Sequence, residues 1–390
     1  MTASESEAEL DSGVYPKRDV EIVKGVGSRL WDLNNNEYID MGASYGVCNV
    51  GHCNPHVIDA IKSQVENLFY ISSTYPNPVR RELLAKLISI SPKGMARVFL
   101  SNSGTEGIEA ALKFAILHSQ RNKIIAALRS YHGRTLGSLS ATWNPKYREP
   151  FKNQLMPVEF VKYDDSESMK NAVNKDTAAV LLEPIQGEGG VYVPSKDYLK
   201  TVRDICTDLG SILIIDEVQT GLGRTGRMFC IEHSDITPDI LVIGKSLGGG
   251  LPIAATVLHE KLGAMPKVMH GSTFGGNPLC CAAANATIDF ILDNNLPVRS
   301  EELGNYFKSR LTDLPSSVIR EVRGMGLMLA IELKTKNTPY LTKLLELGIA
   351  PLPGGNTVIR FLPPLVISKD EIDRTVTILE EILDDHDTRC

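Results

Sequence analysis

Short apolar segments alternate with segments of helical spacing through the middle of the chain, and this order constrains the fold most. The apolar runs predict strands at 98–100, 124–128, 178–182, 211–215 and 240–243. Helical spacing predicts helices at 106–117, 196–209 and 277–292. Strands that alternate with helices in this way are typical of an α/β fold with a mostly parallel sheet.

The two ends of the chain have a different pattern. Apolar and polar residues alternate over 19–41 on both sides of three consecutive asparagines, and this pattern predicts a hairpin. Apolar residues with helical spacing follow at 55–69. The last third predicts an α+β arrangement, with helices at 299–312, 339–347 and 369–384 and strands near 319–322, 327–333 and 349–361. We therefore expect a disordered tail at 1–13, an N-terminal segment at 14–50 that joins the small domain, a large domain at 51–295 and a small C-terminal domain at 296–390.

Composition excludes several classes of function. A net charge of −6 disfavours a nucleic-acid partner, because proteins that bind nucleic acid present an excess of basic residues. No stretch approaches the ~20 apolar residues that span a bilayer, and the first residues lack the regions of a secretory signal. Seven cysteines without a CxxC pair favour reduced thiols. We expect a cytoplasmic protein without a membrane partner.

The cluster at 51–56, with His52, Cys53 and His56, could suggest a metal site. It lacks a second pair of ligands at zinc-finger spacing. We therefore predict no metal and interpret the cluster as a structural loop.

A polar turn separates the predicted strand at 98–100 from the helix at 106–117. It reads SNSGTE at 101–106, and such small residues leave backbone N–H groups open at the N-terminus of a helix. Those N–H groups and the helix dipole attract a phosphate. The alternative is a helix cap formed by Ser103 or Thr105.

Two charged residues directly follow buried strands. Asp216 ends an apolar run, where a carboxylate caps a turn, binds a cation or holds a protonated ring nitrogen. Lys245 follows the apolar run at 240–243, and a desolvated lysine is a good amine nucleophile toward carbonyls. Its alternative is a lysine whose amine reaches solvent. A phosphate loop of the Walker type fails, because it would need glycine at Asp239.

Other polar residues have open interpretations when taken singly. Arg134 and Arg360 could each bind a carboxylate in a bidentate manner, with Glu183 or Glu188 as an internal partner for Arg360. The hydroxyl-rich turn at 271–278 either binds a ligand or caps a helix. The GxGxxG pattern at 221–226 comes too late after its strand to be a dinucleotide fingerprint.

Taken together, these groups fit pyridoxal phosphate (PLP). This cofactor has a phosphate, a basic ring nitrogen and an aldehyde, and the phosphate turn, Asp216 and Lys245 match them one by one. The carboxylate keeps the ring nitrogen protonated, so that the ring accepts electrons from a carbanion.

The chain resembles the class III, fold type I, PLP-dependent aminotransferases from about residue 18 to 385. The resemblance rests on motifs in the family's order: SGT at 103–105, YHGRT at 131–135, LEPIQGEGG at 182–190, DEVQTGLGRTG at 216–226, GKSLGGG at 244–250 and GSTFGGNP at 271–278. The most similar subgroup is the acetylornithine and ornithine aminotransferases, and the modest length favours the acetylornithine branch. It implies a large domain with a mostly parallel sheet and a smaller α+β C-terminal domain.

The resemblance also implies roles for the cofactor site. Lys245 would bond covalently to the cofactor and then move a proton as the catalytic base, and Asp216 would pair with the ring nitrogen. Tyr131 stands where the family usually has a phenylalanine that stacks on the ring. The remaining cofactor-binding positions are Ser103, Gly104, Thr105, Val218, Gln219 and, from a neighbouring subunit, Thr273.

For the substrate, the resemblance implies that Arg134 binds a carboxylate and that Ser272 and Tyr45 lie near the bound molecule. Glu188 and Arg360 match the family's switch pair. The Glu188 side chain neutralises Arg360, and Arg360 is released when the substrate glutamate binds as the amino donor. An unpaired buried arginine costs free energy, so it is physically reasonable that Arg360 exchanges one carboxylate partner for another.

The expected reaction moves an amino group between glutamate and 2-oxoglutarate on one side and an ornithine-like amine or its aldehyde on the other. The expected assembly is a homodimer with shared active sites. The expected substrate is N-acetylornithine or an ornithine or lysine linked to a small acidic amino-group carrier protein. Alternatives are an ornithine or 4-aminobutyrate aminotransferase and, more distantly, a PLP aminomutase or a nicotinamide-dependent dehydrogenase.

Overall fold

The computed structural model describes residue 7, residues 9–315 and residues 317–387, with side chains described to residue 383. Much of the expected disordered tail at 1–13 therefore lies outside the described residues. In its described part, the Asp11 carboxylate lies 2.6 Å from the amine of Lys17.

A seven-stranded sheet forms the centre of the molecule, in the order β4-β10-β9-β8-β7-β5-β6. Neighbours from β9 to β6 are parallel, and β10 is antiparallel to both β4 and β9. The strands are β4 (Met95–Ser101), β5 (Lys123–Ala127), β6 (Val158–Val161), β7 (Thr177–Leu182), β8 (Ile212–Asp216), β9 (Ile240–Ile243) and β10 (Ala254–His259). The predicted α/β class with a mostly parallel sheet is confirmed.

Helices flank this sheet and extend beyond it. Those of the first part are α1 (Pro55–Val65), α2 (Pro78–Ile90), α3 (Gly104–Ser119), α4 (Leu136–Ala141), α5 (Pro145–Arg148), α6 (Ser166–Ala172) and α7 (Tyr198–Leu209). The later ones are α8 (Pro278–Asp293), α9 (Leu296–Thr312), α10 (Thr338–Glu346) and α11 (Lys369–Asp387). Short 3-10 turns are found at Glu149–Gln154, Cys230–Ser234, Lys245–Gly248 and Glu260–Leu262. No helix in the described ranges is long and apolar enough to cross a membrane.

Two smaller sheets complete the fold. One has the order β1-β2-β3-β13 and the other β11-β12-β15-β14. Their strands are β1 (Ile22–Val26), β2 (Arg29–Asp32), β3 (Glu37–Asp40), β11 (Ile319–Met325), β12 (Met328–Leu333), β13 (Ile349–Ala350), β14 (Leu352–Gly354) and β15 (Val358–Phe361). The predicted hairpin is confirmed, because β2 and β3 pair in antiparallel fashion across the turn.

The N-terminal hairpin pairs with the last third of the chain. Strand β3 lies parallel to β13, with Ile39 opposite Ile349. Residues 22–40 and a short strand of the last third therefore share one sheet. The domain boundaries given above stay a prediction.

The central strands β7, β8 and β9 are buried along their whole length. They are parallel, so their carboxyl ends meet at one edge of the sheet, which is where α/β proteins bind ligands. Glu183, Asp216 and Lys245 stand at this edge, at or just beyond the ends of those strands.

Candidate active site

A cavity of about 220 Å³ opens at the carboxyl edge of the central sheet. Nine of the predicted site residues line it: Gly104, Thr105, Tyr131, Arg134, Glu188, Asp216, Val218, Gln219 and Lys245. The structure thus brings together residues that are spread over more than a hundred positions of the sequence.

Lys245 follows β9 in a backbone conformation that is unusual for a residue with a side chain, since its φ is 42°. Its pKa is lowered from 10.5, mainly by burial, whereas the charges of Glu188 and Asp216 act in the opposite direction. A larger fraction of the amine is therefore unprotonated than in water. An amine in this state can attack a carbonyl carbon or accept a proton.

The Asp216 carboxylate is fixed by two contacts. Its Oδ1 accepts the N–H of Val218 at 3.0 Å, and its Oδ2 lies 2.7 Å from Nδ1 of His132. The His132 side chain is fully buried, and its Nε2 has no hydrogen-bond partner among the described residues. With Asp216 ionised, the imidazole donates its Nδ1–H to the carboxylate and sets its orientation.

Glu183 is a further cavity residue. Its carboxylate accepts the N–H of Tyr131 at 3.0 Å and that of Gly187 at 3.3 Å. Burial raises its pKa to about 7, although the nearby His132 acts to lower it. The carboxylate can therefore hold a proton near neutral pH.

His132 and Glu183 were missed as site residues by the sequence reasoning. His132 stands inside the YHGRT motif at 131–135, and Glu183 had been considered only as a partner for Arg360. Glu183 directly follows a buried strand, and this position in the sequence was the signal that could have identified it.

Arg360 pairs with Glu188 and not with Glu183, which resolves the alternative left open above. Its Nη1 and Nη2 donate to the two oxygens of Glu188 at 3.0 and 3.1 Å, in a bidentate arrangement. Arg360 is 1% exposed. Burial would raise the pKa of Glu188, but the charges of Arg360 and Lys245 bring it below its usual value.

Arg134 lies on the open side of the cavity. Its guanidinium carbon lies 3.6 Å from the ring centre of Tyr147 and 5.5 Å from that of Tyr131. In the part of the chain that the structure describes, no carboxylate lies within ion-pair distance of it. Its side chain hydrogen-bonds the Tyr131 side chain, and its charge is not neutralised by a carboxylate of the described residues, so it can attract an anion from outside.

The polar turn before α3 caps the helix with one residue and lines the cavity with the next two. Ser103 is the N-cap residue, and its hydroxyl accepts the N–H of Glu106 at 3.4 Å. Gly104 and Thr105 line the cavity, while Ser103 does not. A Cβ added to Gly104 would lie 2.6 Å from Cγ1 of Val218, so the helix begins in close contact with the segment after β8.

Comparison with known proteins decides the family. A family profile described as Aminotransferase class-III matches residues 13–383. The chain belongs to the class III aminotransferases. It is therefore a transaminase, and the expected family is confirmed.

Similar aminotransferases cover nearly the whole chain. The LysW-aminoadipate semialdehyde transaminase of Deinococcus radiodurans is 43% identical over 388 residues, 98% of this chain and 90% of that protein. The acetylornithine aminotransferase of Methanocaldococcus jannaschii is 43% identical over 378 residues, 95% of this chain and 94% of that protein. The solved ornithine aminotransferase of Toxoplasma gondii is 35% identical, with a TM-score of 0.94 over 99% of this chain and 96% of that one.

Tyr45 and Gln219 connect the N-terminal segment of this aminotransferase to the cavity. Gln219 donates its amide N–H to the backbone oxygen of Tyr45 at 3.2 Å, and the Tyr45 ring centre lies 5.9 Å from the Arg360 guanidinium. Ala43, Ser44 and Tyr45 all have positive φ angles. The other amide atom of Gln219, its Oε1, is buried and has no partner among the described residues.

Ser272 and Thr273 do not line the cavity of their own chain. The Ser272 hydroxyl accepts the N–H of Gly275 at 3.0 Å and that of the Asn102 amide at 3.1 Å. Thr273 is exposed. The roles predicted for these two residues stay predictions.

The GxGxxG segment at 221–226 has a structural role in this aminotransferase. Arg224 is fully buried and donates to the backbone oxygens of Leu327 and Pro363 at 2.8 and 2.6 Å. The segment forms turns and opens no helix. It connects the segment after β8 to the turn between β11 and β12 and to the residues that follow β15.

Proposed function

We propose that the cavity holds pyridoxal phosphate and that the enzyme transfers an amino group between glutamate and an ornithine-like substrate. One observation carries the proposal: Lys245, the Asp216–His132 pair and the N-terminus of α3 all face the same cavity. Each of these groups matches a different part of the cofactor. When bound, the cofactor supplies an aldehyde for a covalent link to amines and a ring that takes up electrons.

The residues present fit this cofactor. Two buried polar atoms beside the cavity, Nε2 of His132 and Oε1 of Gln219, lack partners among the described residues. Gly104 and Thr105, the first two residues of α3, line the cavity, and the N–H groups at the N-terminus of a helix bind phosphate. The residues that would hold the cofactor are Ser103, Gly104, Thr105, Tyr131, Asp216, Val218, Gln219 and Lys245.

The chain's own groups then divide the chemistry. Asp216 keeps a positive charge on a ring nitrogen placed beside it, and His132 holds that carboxylate in position. Lys245, with its lowered pKa, serves as nucleophile and as the base that carries a proton. Tyr131 presents an aromatic face to the ring.

Recognition of two different substrates is assigned to two arginines. Arg134 has no carboxylate partner among the described residues and would bind the carboxylate of the amino-acid substrate. Arg360 is neutralised by Glu188 and would be released for the second carboxylate of glutamate or 2-oxoglutarate. The bidentate pair keeps Arg360 from binding a carboxylate while the other substrate is present.

The relatives' names support the substrate class. The Methanocaldococcus jannaschii relative is named for acetylornithine and the Deinococcus radiodurans relative for a LysW-linked semialdehyde. We therefore propose N-acetylornithine or a carrier-linked ornithine or lysine, in arginine or lysine biosynthesis. The carrier would be a small protein partner. Free ornithine is the second candidate, because the Toxoplasma gondii ornithine aminotransferase shares the fold at a TM-score of 0.94.

We also propose a homodimer. Four aromatic side chains, each at least 40% exposed, form an apolar surface near the turn at 271–278: Phe69, Tyr70, Tyr75 and Phe274. Tyr70 and Phe274 contact each other at 5.5 Å between ring centres. Thr273 is exposed beside Phe274 and would complete the phosphate site of a second copy.

Absorption spectroscopy of the purified protein tests the proposed function. With pyridoxal phosphate bound, we expect a visible band that is bleached by glutamate. Bleaching by N-acetylornithine but not by ornithine would select the acetylornithine substrate. Bleaching by glutamate alone would select a carrier-linked substrate. Absence of a visible band after reconstitution would contradict the proposal.

A further inference from the structure

Two tyrosines from different segments hold the guanidinium of Arg134. Its carbon lies 3.6 Å from the ring centre of Tyr147, a distance at which the guanidinium packs directly on the aromatic face. Tyr131 lies on another side at 5.5 Å. The two rings are nearly perpendicular, with an angle of 86° and 6.3 Å between centres. Together they form an aromatic bracket around Arg134.

The bracket leaves Arg134 without a carboxylate partner among the described residues, although its side chain also hydrogen-bonds the Tyr131 side chain. Stacking uses the face of a guanidinium, whereas bidentate binding of a carboxylate uses its N–H edge. Arg134 is exposed and, within the described ranges, has no carboxylate at ion-pair distance. This state differs from that of Arg360, whose edge is occupied by Glu188.

Tyr147 lies on a segment that is held by contacts on both sides of the ring. It belongs to α5, which begins after Asn144, whose side chain accepts the N–H of Lys146 at 3.0 Å. Before the helix, the N–H of Trp143 donates to the oxygen of Ser130 at 3.0 Å. After Tyr147, the Arg148 guanidinium lies 4.7 Å from the ring centre of Phe160 on β6. The ring of Tyr147 is thus a fixed surface on which Arg134 rests.

We propose that Tyr147 is a positioning residue that holds the N–H edge of Arg134 toward the carboxylate of the amino-acid substrate. This inference rests on the proposed function in one respect, namely that Arg134 binds that carboxylate. A stacked arginine has fewer conformations to lose when the carboxylate binds, so the ring improves binding without touching the substrate.

The test compares Tyr147→Leu with Tyr147→Phe in the holoenzyme. Loss of the aromatic face should raise the KM for the carboxylate-bearing amine about three- to thirtyfold, the range expected for a cation–π contact. The kcat should change less than threefold. Tyr147→Phe keeps the face and should stay within twofold of the unchanged enzyme.

Two controls separate positioning from a general structural effect. An amine of the same length without the carboxylate should show the same KM in all variants. Tyr147→Leu added to Arg134→Ala should have no further effect, because contacts that act through one group are not additive. Equal losses for both amines, or full additivity with Arg134→Ala, would overturn the proposal.

A binding measurement keeps this inference distinct from the proposed function. Calorimetry with valerate, a monocarboxylate, reports on Arg134 without any amino transfer, since Arg360 is neutralised by Glu188. We expect Tyr147→Leu to weaken valerate binding about three- to thirtyfold. If amino transfer is absent but this change is found, the proposed function fails and the positioning role stands. An unchanged valerate affinity would contradict the positioning role.

Discussion

At the scale of single residues, the chemistry is concentrated where buried strands end. Lys245 and Asp216 could be predicted from sequence, because a charged residue directly after an apolar strand demands an explanation. The contact between His132 and Asp216 could not be predicted, because 84 positions separate the two residues. The sequence around a histidine in a loop does not show whether its side chain contacts an acid. From the residues alone Arg360 could be paired with Glu183 or Glu188, whereas the resemblance to the family already implied Glu188, which the structure shows.

The Lys245 side chain is predicted to be essential for amino transfer because its amine reacts with carbonyls and accepts a proton, and not because it carries a positive charge. Lys245→Ala should lower kcat by roughly 10²- to 10⁴-fold, the usual contribution of a positioned acid–base group. Lys245→Arg should lose as much, because a guanidinium stays protonated and cannot accept the proton. Both are measured as rates of amino transfer from glutamate. More than a tenth of the normal rate in Lys245→Arg would contradict the role.

The Glu188–Arg360 pair is predicted to set the choice between the two substrates. Glu188→Gln removes the charge that neutralises Arg360, so the KM for 2-oxoglutarate should fall relative to that for the amine substrate by at least tenfold, or about 1.4 kcal/mol. Steady-state kinetics with both substrates measure this ratio.

Glu188→Asp is the matched control for the switch, since it retains the negative charge on a shorter side chain. It should shift the ratio less than Glu188→Gln does. An unchanged ratio in Glu188→Gln would show that Arg360 does not discriminate between the substrates.

At the scale of elements, long periodic helices and buried parallel strands were predictable, and short or atypical ones were not. Strand β10 begins with two alanines, which have low strand propensity, and β6 has only four residues. Helix α2 was not predicted, although its apolar residues at 79, 83, 84, 87 and 88 have helical spacing, and the structure also buries its Arg80. Arg80 donates to the backbone oxygens of Gly276, Tyr75 and Ile71, contacts that no local pattern reveals.

The start of α3 is predicted to tolerate no side chain at position 104. In Gly104→Ala the new Cβ would lie 2.6 Å from Cγ1 and 3.0 Å from Cγ2 of Val218, so either the start of the helix or the Val218 side chain must shift. We expect cofactor affinity to fall about tenfold or more, as measured by titration of the visible band.

A second substitution tests the cause of this loss. Val218→Ala removes the two atoms that the new Cβ would meet, so the double variant should recover much of the affinity lost in Gly104→Ala. Equal affinities in the single and double variants would show that crowding against Val218 is not responsible.

At the scale of the whole molecule, two buried carboxyl groups couple stability to pH. Burial raises the pKa values of Glu183 and Glu217 from 4.5 to about 7. A group whose pKa is higher in the folded state stabilises the fold fully below its unfolded value, and that contribution is lost as pH rises through its folded value. The free energy of unfolding should therefore fall between about pH 4.5 and pH 7.

Glu217→Gln isolates one of these groups without altering the cavity lining. The change from 4.5 to about 7 corresponds to about 3 kcal/mol, so the variant should lose a pH dependence of about that size. Urea unfolding between pH 5 and pH 8, at one protein concentration, measures it. Glu346→Gln, at a side chain that is 57% exposed, should retain the full dependence, and an identical loss in both variants would contradict the assignment.

The parallel pairing of β3 with β13 has a consequence for how the chain is made. Ile39 finds its partner only when Ile349 has been synthesised, about 300 residues later. At a translation rate of about 5–20 residues per second, the N-terminal hairpin leaves the ribosome roughly 15–60 s before that partner strand exists. During this interval β3 presents an open edge to other nascent chains, and open edges promote aggregation. The hairpin is thus the segment that a chaperone would need to shield during synthesis.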